Sequence, residues 1–302
     1  MSGGPLVVLG DALLDRDLEG SATRLSAEAP VPVVRDLSET HRPGGAGLAA
    51  LLAAQAAPDG ARVVFVTVLA DDDGGELLRS LLDSHVEVVA GRSPGPTAEK
   101  IRIRSGGQSL LRMDRDQPGA QHSSIVPAMR EAIEQAGMLL VSDYGQGLVE
   151  VPELRLAAEQ AARRGRVVWD PHRHGARPVA DALMVIPTFA EACEISGLSH
   201  TDDDELTRAA RAARELVRGW SVGSVAVTLG AQGALLDTGE GNPRLLPAPD
   251  LPWVDACGVG DQFAAATAVA LHGGATQLEA VAFAVETAAR YAATGGATHA
   301  LD

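Results

Sequence analysis

The sequence predicts an α/β fold in which a central, mostly parallel sheet carries helices on both faces and a small β-sheet projects from it. Three observations support this class. Short continuous apolar runs alternate with Ala/Leu-rich helical stretches along most of the 302 residues, as in parallel sheets covered on both faces. Apolar residues make up 46% of the chain, which is ample for a large core. Two segments instead alternate polar and apolar residues, which is typical of half-exposed antiparallel strands.

The first half of the chain contains two strand–helix pairs. Residues 5–10 (PLVVLG) form a short apolar run that predicts a buried strand, and residues 44–57 predict a helix entered through two glycines. Residues 62–69 (RVVFVTVL) are the next predicted strand, and residues 74–84 (GGELLRSLLDS) the next helix. Strands that alternate with helices in this way favour parallel neighbours in one sheet.

The second half continues the alternation. Further continuous apolar runs predict buried strands at residues 138–143, 166–170, 183–187 and 224–230. Helical stretches lie between or after them at residues 151–164, 188–196, 202–218, 260–272 and 277–294. Neither a repeat nor a linker divides the sequence, so residues 1–302 are predicted to form a single domain.

The two segments that break the pattern are residues 30–36 (PVPVVRD) and 97–113 (TAEKIRIRSGGQSLLRM). The second contains a Gly-Gly hairpin signal between two alternating stretches. Such strands fit poorly inside a parallel sheet, so they are predicted to form the small separate sheet, with its strands within residues 12–37 and 97–113.

Composition excludes several classes of protein. The formal charge of −15 argues against partners such as nucleic acid or an anionic membrane, because both require a basic face. Cys193 and Cys257 are too few for a disulfide framework or a cysteine metal site, and free thiols suit a reducing cytoplasm. The sequence contains no apolar run of the roughly 18–20 residues that a membrane span requires. A soluble, cytoplasmic protein is therefore expected.

The segment WVDACGVGDQF (253–263) contains two glycines and an acid just before an Ala-rich helix. In one interpretation this is a capped turn in which Asp261 complements the helix dipole. In the other, Gly258 and Gly260 let backbone N–H groups converge on an anion, and Asp261 removes a proton from an attacking hydroxyl. Taken alone, the segment does not decide between the two.

Five motifs occur in a distinctive order over nearly the full length: GDALLDRDLEGSATRLSAEAPVPVV, RPGGAGLAA, SDYGQG, VTLGAQG and DACGVGDQF. With these motifs the chain resembles the ribokinase-like (PfkB) sugar kinases. The resemblance is greatest to the bacterial kinases that phosphorylate D-glycero-β-D-manno-heptose 7-phosphate at the anomeric carbon. It implies a ribokinase-like fold in which the small sheet is a lid over the sugar.

The resemblance also implies a phosphoryl-transfer end of the site. Asp261 would be the base that activates the sugar hydroxyl, and Glu191 would be linked to Mg²⁺. The anion hole would consist of the backbone amides of Cys257, Gly258, Val259 and Gly260. The ATP site would be lined by Thr228, Gly230 and Gly233.

At the sugar end, Asp15 would bind sugar hydroxyls, Gly44 and Gly45 would approach the sugar with their backbone, and Asp143 would also contact substrate. Lys100 is the only lysine in the sequence and falls where the heptose kinases carry a lysine on a lid strand. The choice for Lys100 lies between a phosphate contact and a solvated strand residue. Asp11, just after the first strand, is expected to cap a turn and nothing more.

Several residues depart from the family's pattern. Leu48 stands where the first signature has a sugar-binding asparagine, and Thr188 replaces the asparagine that precedes Glu191. Gln146 and His172 stand where the heptose kinases have lysines. Glu286 occupies a position near the adenine pocket that is commonly asparagine. Because an unpaired buried polar partner costs about 1–3 kcal/mol, Leu48 suggests a changed sugar, a changed pose or a weakened site.

The leading hypothesis is a kinase with ATP and Mg²⁺ as cofactors, and a monovalent cation as a further candidate, that acts on a sugar or sugar phosphate such as heptose 7-phosphate. One alternative is a catalytically weak kinase-like protein that binds a nucleotide or sugar phosphate. Another is a ribokinase-like kinase for a pentose, nucleoside or phosphofructose. The lid strands are expected to form a homodimer. No fused nucleotidyltransferase domain is expected, because the sequence ends soon after its last helix.

Overall fold

A computed structural model describes residues 3–106, 108–115, 123–199, 203–252 and 254–299 of the chain. Its strands fall into two sheets. In chain order they are β1 (Leu6–Gly10), β2 (Ala12–Leu25), β3 (Pro32–Gly45), β4 (Val63–Leu69), β5 (Glu87–Arg92), β6 (Glu99–Ser105), β7 (Gln108–Arg115), β8 (Met138–Ser142), β9 (Val167–Asp170), β10 (Met184–Val185), β11 (Val225–Thr228), β12 (Ala234–Asp237) and β13 (Arg244–Leu246).

The main sheet has nine strands in the order β13-β12-β11-β10-β9-β8-β1-β4-β5. All neighbours from β11 to β5 are parallel, whereas β12 and β13 add an antiparallel edge. The strands are buried on both faces: Leu6 and Val8 of β1 pack into one apolar cluster, and Val7 and Leu9 pack into another. This burial explains why the strands are continuously apolar.

Helices cover both faces of this sheet. In chain order they are α1 (Ala46–Ala56), α2 (Asp73–Leu82), α3 (Pro127–Glu134), α4 (Pro152–Ala162), α5 (Phe189–Ile195), α6 (Glu205–Trp220), α7 (Val259–His272) and α8 (Gln277–Ala293). Buried residues of α1, α2, α7 and α8 belong to one apolar cluster, and those of α3, α4 and α6 belong to the other. None of the helices in the described ranges is long and apolar enough to cross a membrane.

The small sheet contains the strands β3-β2-β6-β7 in that order. β2 pairs antiparallel with β3 and parallel with β6, and β6 pairs antiparallel with β7. The long strand β3 ends at Gly44 and Gly45, and α1 begins directly afterwards. Gly45 takes φ 58, a left-handed value that lets the chain turn from strand to helix without strain. The small sheet is thus tied to the main body where the predicted sugar site lies.

The predicted fold class is confirmed: the central sheet is mostly parallel, with helices on both faces and a separate small sheet. The predicted strands and helices are present with boundaries shifted by a few residues. One shift matters for the site: the helix predicted over 44–57 begins only at Ala46, because Gly44 and Gly45 complete β3. The sequence patterns did not predict β5, α3 or the antiparallel edge formed by β12 and β13.

Candidate active site

The carboxyl ends of the parallel strands meet beside the small sheet. Asp11 follows β1, Asp143 and Tyr144 follow β8, and Asp170 ends β9. The first turn of α7 contributes Asp261 to the same region, where the Tyr144 hydroxyl contacts it. Ligands of open parallel sheets bind at this end of the strands, so we identify it as the candidate active site.

Two backbone N–H groups at the start of α7 have no acceptor among the described residues. Gly258 is the N-cap of α7 with φ 77, and the amides of Gly258 and Gly260 donate to no protein atom in the described parts of the chain. The Cys257 amide instead donates to Asp255 Oδ1 at 2.9 Å, and the Val259 amide to the Ala256 carbonyl at 3.3 Å. Of the four amides predicted to form an anion hole, two are therefore bonded within the loop and two are available to a ligand.

Asp261 lies in the first turn of α7 with only 7% of its surface exposed. The Tyr144 hydroxyl donates to its Oδ1 at 2.7 Å. Burial raises the pKa of Asp261 to about 7; the Tyr144 hydroxyl and the Lys100 ammonium act against this rise, and Asp15 adds to it. A carboxyl group with a pKa near neutrality can accept and release a proton under physiological conditions.

A cavity of about 140 Å³ connects this loop with the turn after β11. The predicted nucleotide-site residues Thr228, Gly230 and Gly233 line it together with Gly260. The remaining lining is mostly apolar and comes from α7 and α8: Val259, Phe263, Val285, Ala288 and Ala289. A cleft with apolar walls that opens onto free helix N-terminal amides suits a ring attached to phosphates.

Glu286 of α8 is not among the residues that line this cavity. It pairs with Arg290 on the same helix at 2.5 Å, and both side chains are more than half exposed. The Glu286 carboxylate, predicted from the sequence to lie near the adenine pocket, is therefore part of a surface ion pair and does not line the cavity.

Glu191 lies beside the cavity at the start of α5 and caps that helix. The amide and hydroxyl of Thr188 both donate to Glu191 Oε2, at 2.9 and 2.7 Å. No group of three or more His, Cys, Asp or Glu side chains is placed to hold a metal in the described ranges. Mg²⁺ commonly keeps several waters and is held by one or two carboxylates and substrate phosphates. A partly exposed carboxylate next to the cavity fits a hydrated Mg²⁺ that arrives with a nucleotide.

Asp15 lies in a buried network on the small sheet. The Arg42 guanidinium lies 3.4 Å from Asp15 Oδ2 and also pairs with Asp17, and Arg102 Nη1 lies 3.2 Å from Asp15 Oδ2. Burial acts to lower the pKa of Arg42, but the two aspartates outweigh it and raise the pKa of the guanidinium. A Cβ atom on Gly44 would lie 2.9 Å from the Asp15 carboxyl carbon, so only glycine lets β3 approach Asp15 this closely.

Arg42 also connects the small sheet to the loop before α7, which contains part of the predicted anion hole. Its Nη2 lies 3.8 Å from the sulfur of Cys257, which is 215 residues further along the chain. The predicted sugar-binding acid and the predicted anion hole therefore share one cation.

Lys100 lies on β6 opposite Asp15 in the strand register. Its ammonium lies 4.5 Å from the centroid of the Tyr144 ring. Burial lowers the pKa of Lys100, whereas the Asp15 and Asp261 carboxylates raise it. The His172 ring stacks with Tyr144 at 6.3 Å between centroids and an interplanar angle of 19°. Lys100 is therefore a half-buried cation beside Tyr144, and not a fully solvated strand residue.

Two aspartates hold the SDYGQG turn. Asp11 is buried and accepts from the amides of Tyr144, Gln146 and Leu148 at 3.1–3.2 Å, which agrees with the expected turn-capping role. Asp143 accepts from the amides of Gly145 and Ala176 at 2.8 and 2.6 Å. Burial raises the pKa of Asp143 to about 7. These bonds join the turn to the loop that contains Ala176, so Asp143 stabilises the turn. Its predicted contact with substrate stays a prediction.

Four residues of the site were missed by sequence reasoning: Tyr144, Asp170, Arg42 and Arg102. Asp170 ends the apolar run RVVWD, and an acid directly after a buried strand was a signal that could have identified it. Burial is the first cause that raises the pKa of Asp170, followed by the carboxylates of Asp261, Glu191 and Asp143. Tyr144 and Arg42 lie within the quoted motifs and Arg102 within the alternating segment 97–113, but their partners are far away in the sequence.

A family model described as pfkB family carbohydrate kinase matches residues 5–302. The chain is 43% identical over 293 residues to the Bifunctional protein HldE of Streptomyces coelicolor, covering 97% of this chain and 61% of that protein. It is 35% identical over 284 residues to the Bifunctional protein HldE of Azorhizobium caulinodans, covering 89% of this chain and 57% of that protein. The chain thus spans less than two thirds of these curated relatives.

Solved structures share the fold. The ribokinase of Thermotoga maritima superposes with a TM-score of 0.75 at 21% identity, covering 99% of this chain and 96% of that one. The phosphofructokinase-2 of Escherichia coli in complex with fructose-6-phosphate has a TM-score of 0.75 at 20% identity, covering 99% of this chain and 97% of that one. The ribokinase-like fold predicted from the sequence is therefore confirmed.

Proposed function

This chain belongs to the pfkB family of carbohydrate kinases, and we propose that it transfers the γ-phosphoryl group of ATP to a hydroxyl of a sugar phosphate. The acceptor we favour is a heptose 7-phosphate-like sugar, with the anomeric hydroxyl as the reacting group. The motifs quoted above and the similarity to the HldE proteins support this choice.

One observation carries the proposal: a buried carboxyl group with a pKa of about 7 lies at the head of α7, beside two amides that donate to no atom of the described chain. Asp261 removes the proton of the acceptor hydroxyl while its oxygen forms a bond to the γ-phosphorus. The bond from that phosphorus to the bridging oxygen breaks, and ADP leaves. The Gly258 and Gly260 amides and the dipole of α7 stabilise the charge on the transferring group.

An anionic acceptor is supported by Lys100. In the described ranges its ammonium forms no salt bridge and lies over the Tyr144 ring. A half-buried cation that forms no salt bridge is stabilised when a ligand supplies an anion. Asp15, held by Arg42 and Arg102, supplies an acceptor for sugar hydroxyls close by.

Mg²⁺, when bound with ATP, neutralises charge on the phosphates. Glu191 is the residue that would hold it, through water, at the edge of the nucleotide cavity. A monovalent-cation requirement and a cytoplasmic location stay predictions.

A homodimer is supported by apolar side chains exposed on the small sheet. Leu25 of β2, Leu37 of β3, and Leu111 and Met113 of β7 are each between 42% and 59% exposed. Large apolar side chains exposed on one sheet are available for burial in a protein interface. Sedimentation velocity tests the assembly: Leu111→Asp combined with Met113→Asp should convert a dimer to monomers.

The decisive experiment incubates the protein with ATP, Mg²⁺ and a panel of sugars and sugar phosphates, and follows ADP release. Turnover that requires an acceptor and falls by about 10²–10⁴-fold in Asp261→Asn supports the kinase, because this is the usual effect of losing a general base. A variant with full activity contradicts the role given to Asp261. Preference for a pentose, nucleoside or phosphofructose would replace the proposed acceptor.

A second candidate, a catalytically weak binding protein, is favoured by the packing of Leu48. This buried side chain lies against Gly258, in the position of the family's sugar-binding asparagine. Stabilisation of the protein by ATP or a sugar phosphate, without turnover of any acceptor, would establish this second candidate and reject the first.

A further inference from the structure

The hydroxyl of Tyr144 makes a single, short contact with the proposed base. Tyr144 Oη lies 2.7 Å from Asp261 Oδ1, although the two residues are 117 positions apart. A phenol that donates to one carboxylate oxygen fixes the plane of the carboxyl group. The other oxygen, Oδ2, then remains for the hydroxyl of an acceptor.

Three further contacts hold Tyr144 in place. Its amide donates to Asp11 Oδ2 at 3.2 Å. The Lys100 ammonium lies 4.5 Å from the centre of its ring, and the His172 ring stacks with it at 6.3 Å. A ring held by a cation–π contact and a stacked neighbour loses little further freedom when its hydroxyl donates a bond.

Groups from several elements face Asp261 and act on its charge. Tyr144 from the turn after β8 and Lys100 from β6 stabilise the carboxylate and lower its pKa. Asp15 from β2 raises it. The Asp261 charge in turn raises the pKa of Asp170 at the end of β9 and the pKa of Tyr291 on α8. Because burial already raises the pKa of Asp261 to about 7, losing the Tyr144 bond would leave the base mostly protonated at neutral pH.

Taking the proposed phosphoryl transfer as its premise, we propose that Tyr144 is a positioning residue, which orients the Asp261 carboxylate and stabilises its charged form. The acceptor proton moves to Asp261 Oδ2 as the new oxygen–phosphorus bond forms and the bond to the departing ADP breaks. Tyr144 keeps its own proton throughout, since burial and the nearby Asp261 charge raise its pKa well above the usual value.

The test compares the pH profile of kcat/KM for wild type and Tyr144→Phe, which keeps the ring and loses only the hydroxyl. The acidic limb should move to higher pH by about one unit, the usual size of one hydrogen bond to a charged group. Activity at pH 6 should fall about tenfold and recover at alkaline pH, because one unit is a tenfold change in the ionised fraction. The KM for ATP should stay within about twofold.

The chain supplies its own control, because Tyr144 and Tyr291 are its two tyrosines. Tyr291 is half-buried near the same loop, and its buried hydroxyl has no partner in the described structure. Tyr291→Phe should leave the acidic limb in place. Global incorporation of 3-fluorotyrosine into Tyr291→Phe labels Tyr144 alone with a more acidic phenol. This stronger donor should move the acidic limb to lower pH, opposite to the effect of Tyr144→Phe.

An infrared titration of the Asp261 carboxyl, assigned by its loss in Asp261→Asn, gives a readout that does not depend on turnover. The same upward shift should occur in folded Tyr144→Phe. A uniform loss of rate at every pH, with an unshifted carboxyl titration, would overturn the role of Tyr144. Absence of turnover in wild type would instead reject the proposed function, and the infrared shift would still decide whether Tyr144 controls Asp261.

Discussion

Leu48 of α1 and Gly258 at the head of α7 are in close contact: a Cβ atom on residue 258 would lie 2.7 Å from Leu48 Cδ2. It would lie equally close to the Tyr291 hydroxyl, and the backbone of Gly258 has φ 77. Glycine is therefore required at position 258, because a side chain would overlap its neighbours and because the backbone has a positive φ. Gly260, two residues on, has open space where its Cβ would be and lines the nucleotide cavity.

Gly258→Ala and Gly260→Ala should separate folding from function. Gly258→Ala should lower the free energy of unfolding by about 1–3 kcal/mol, because a left-handed alanine is strained and its methyl group overlaps Leu48. Gly260→Ala should leave stability unchanged or raise it by up to about 1 kcal/mol, since alanine favours a helix. Its methyl group should raise the KM for ATP. Urea unfolding and initial rates test both, and an equal loss of stability in the two variants would contradict this assignment.

Lys100→Met should weaken binding of a phosphorylated acceptor. The KM for a sugar phosphate should rise about 10–100-fold, as expected for the loss of a charged hydrogen bond of about 1.5–3 kcal/mol. The KM for the same sugar without its phosphate should change little. Arg35→Met removes an exposed cation from the same sheet and serves as the matched control. Equal effects of Lys100→Met on both sugars would show that Lys100 does not recognise the phosphate.

Asp17→Asn should reveal the cost of breaking a buried ion pair. Asp17 and Arg42 are both buried and paired, and removing one partner leaves an uncompensated charge. The free energy of unfolding should fall by about 3–5 kcal/mol, and the KM for the acceptor should rise because Arg42 also holds Asp15. Glu87→Gln breaks the exposed pair with Arg62 and should cost at most about 1 kcal/mol. Similar losses in the free energy of unfolding for both variants would mean that burial does not increase the contribution of the Asp17–Arg42 pair to stability.

Stability should depend on pH through Asp261. Its folded pKa of about 7 lies above the ordinary 3.8, so the folded state holds a proton that the unfolded state releases. Its contribution to stability is full below pH 4 and is lost as the pH rises to about 7. The stability of Asp261→Asn relative to wild type should therefore rise between pH 5 and pH 8, by an amount on the order of 2–4 kcal/mol in the free energy of unfolding, with a corresponding gain in Tm.

Asp204→Asn is the matched control for this titration. Asp204 caps α6, and its hydrogen bonds to Thr207 lower its pKa below the ordinary value. Its contribution is therefore already constant between pH 5 and pH 8, and the difference in Tm from wild type should be flat. A flat difference for Asp261→Asn as well would mean that Asp261 is charged at pH 5, with a pKa below the value that its burial implies.

Local patterns predicted much of the fold because each apolar run reflects burial on both faces of a strand. The edge strand β13 was missed because it has three residues and pairs on one side only, and β12 was missed because it is only four residues long. The motifs predicted where Asp261, Asp15 and the nucleotide turn would lie. They also predicted four anion-hole amides, although two of these are bonded within the loop.

By itself, the sequence determined the alternation of strands and helices, the family, and the identity of the acid at the head of α7. These follow from periodicity and from residues close together in the chain. Only the tertiary structure decided that Tyr144 donates to Asp261, that Arg42 joins Asp15 to Cys257, and that Leu48 packs against Gly258. The physical reason is distance along the chain: burial, charge and close packing at the site arise between residues that only folding brings together.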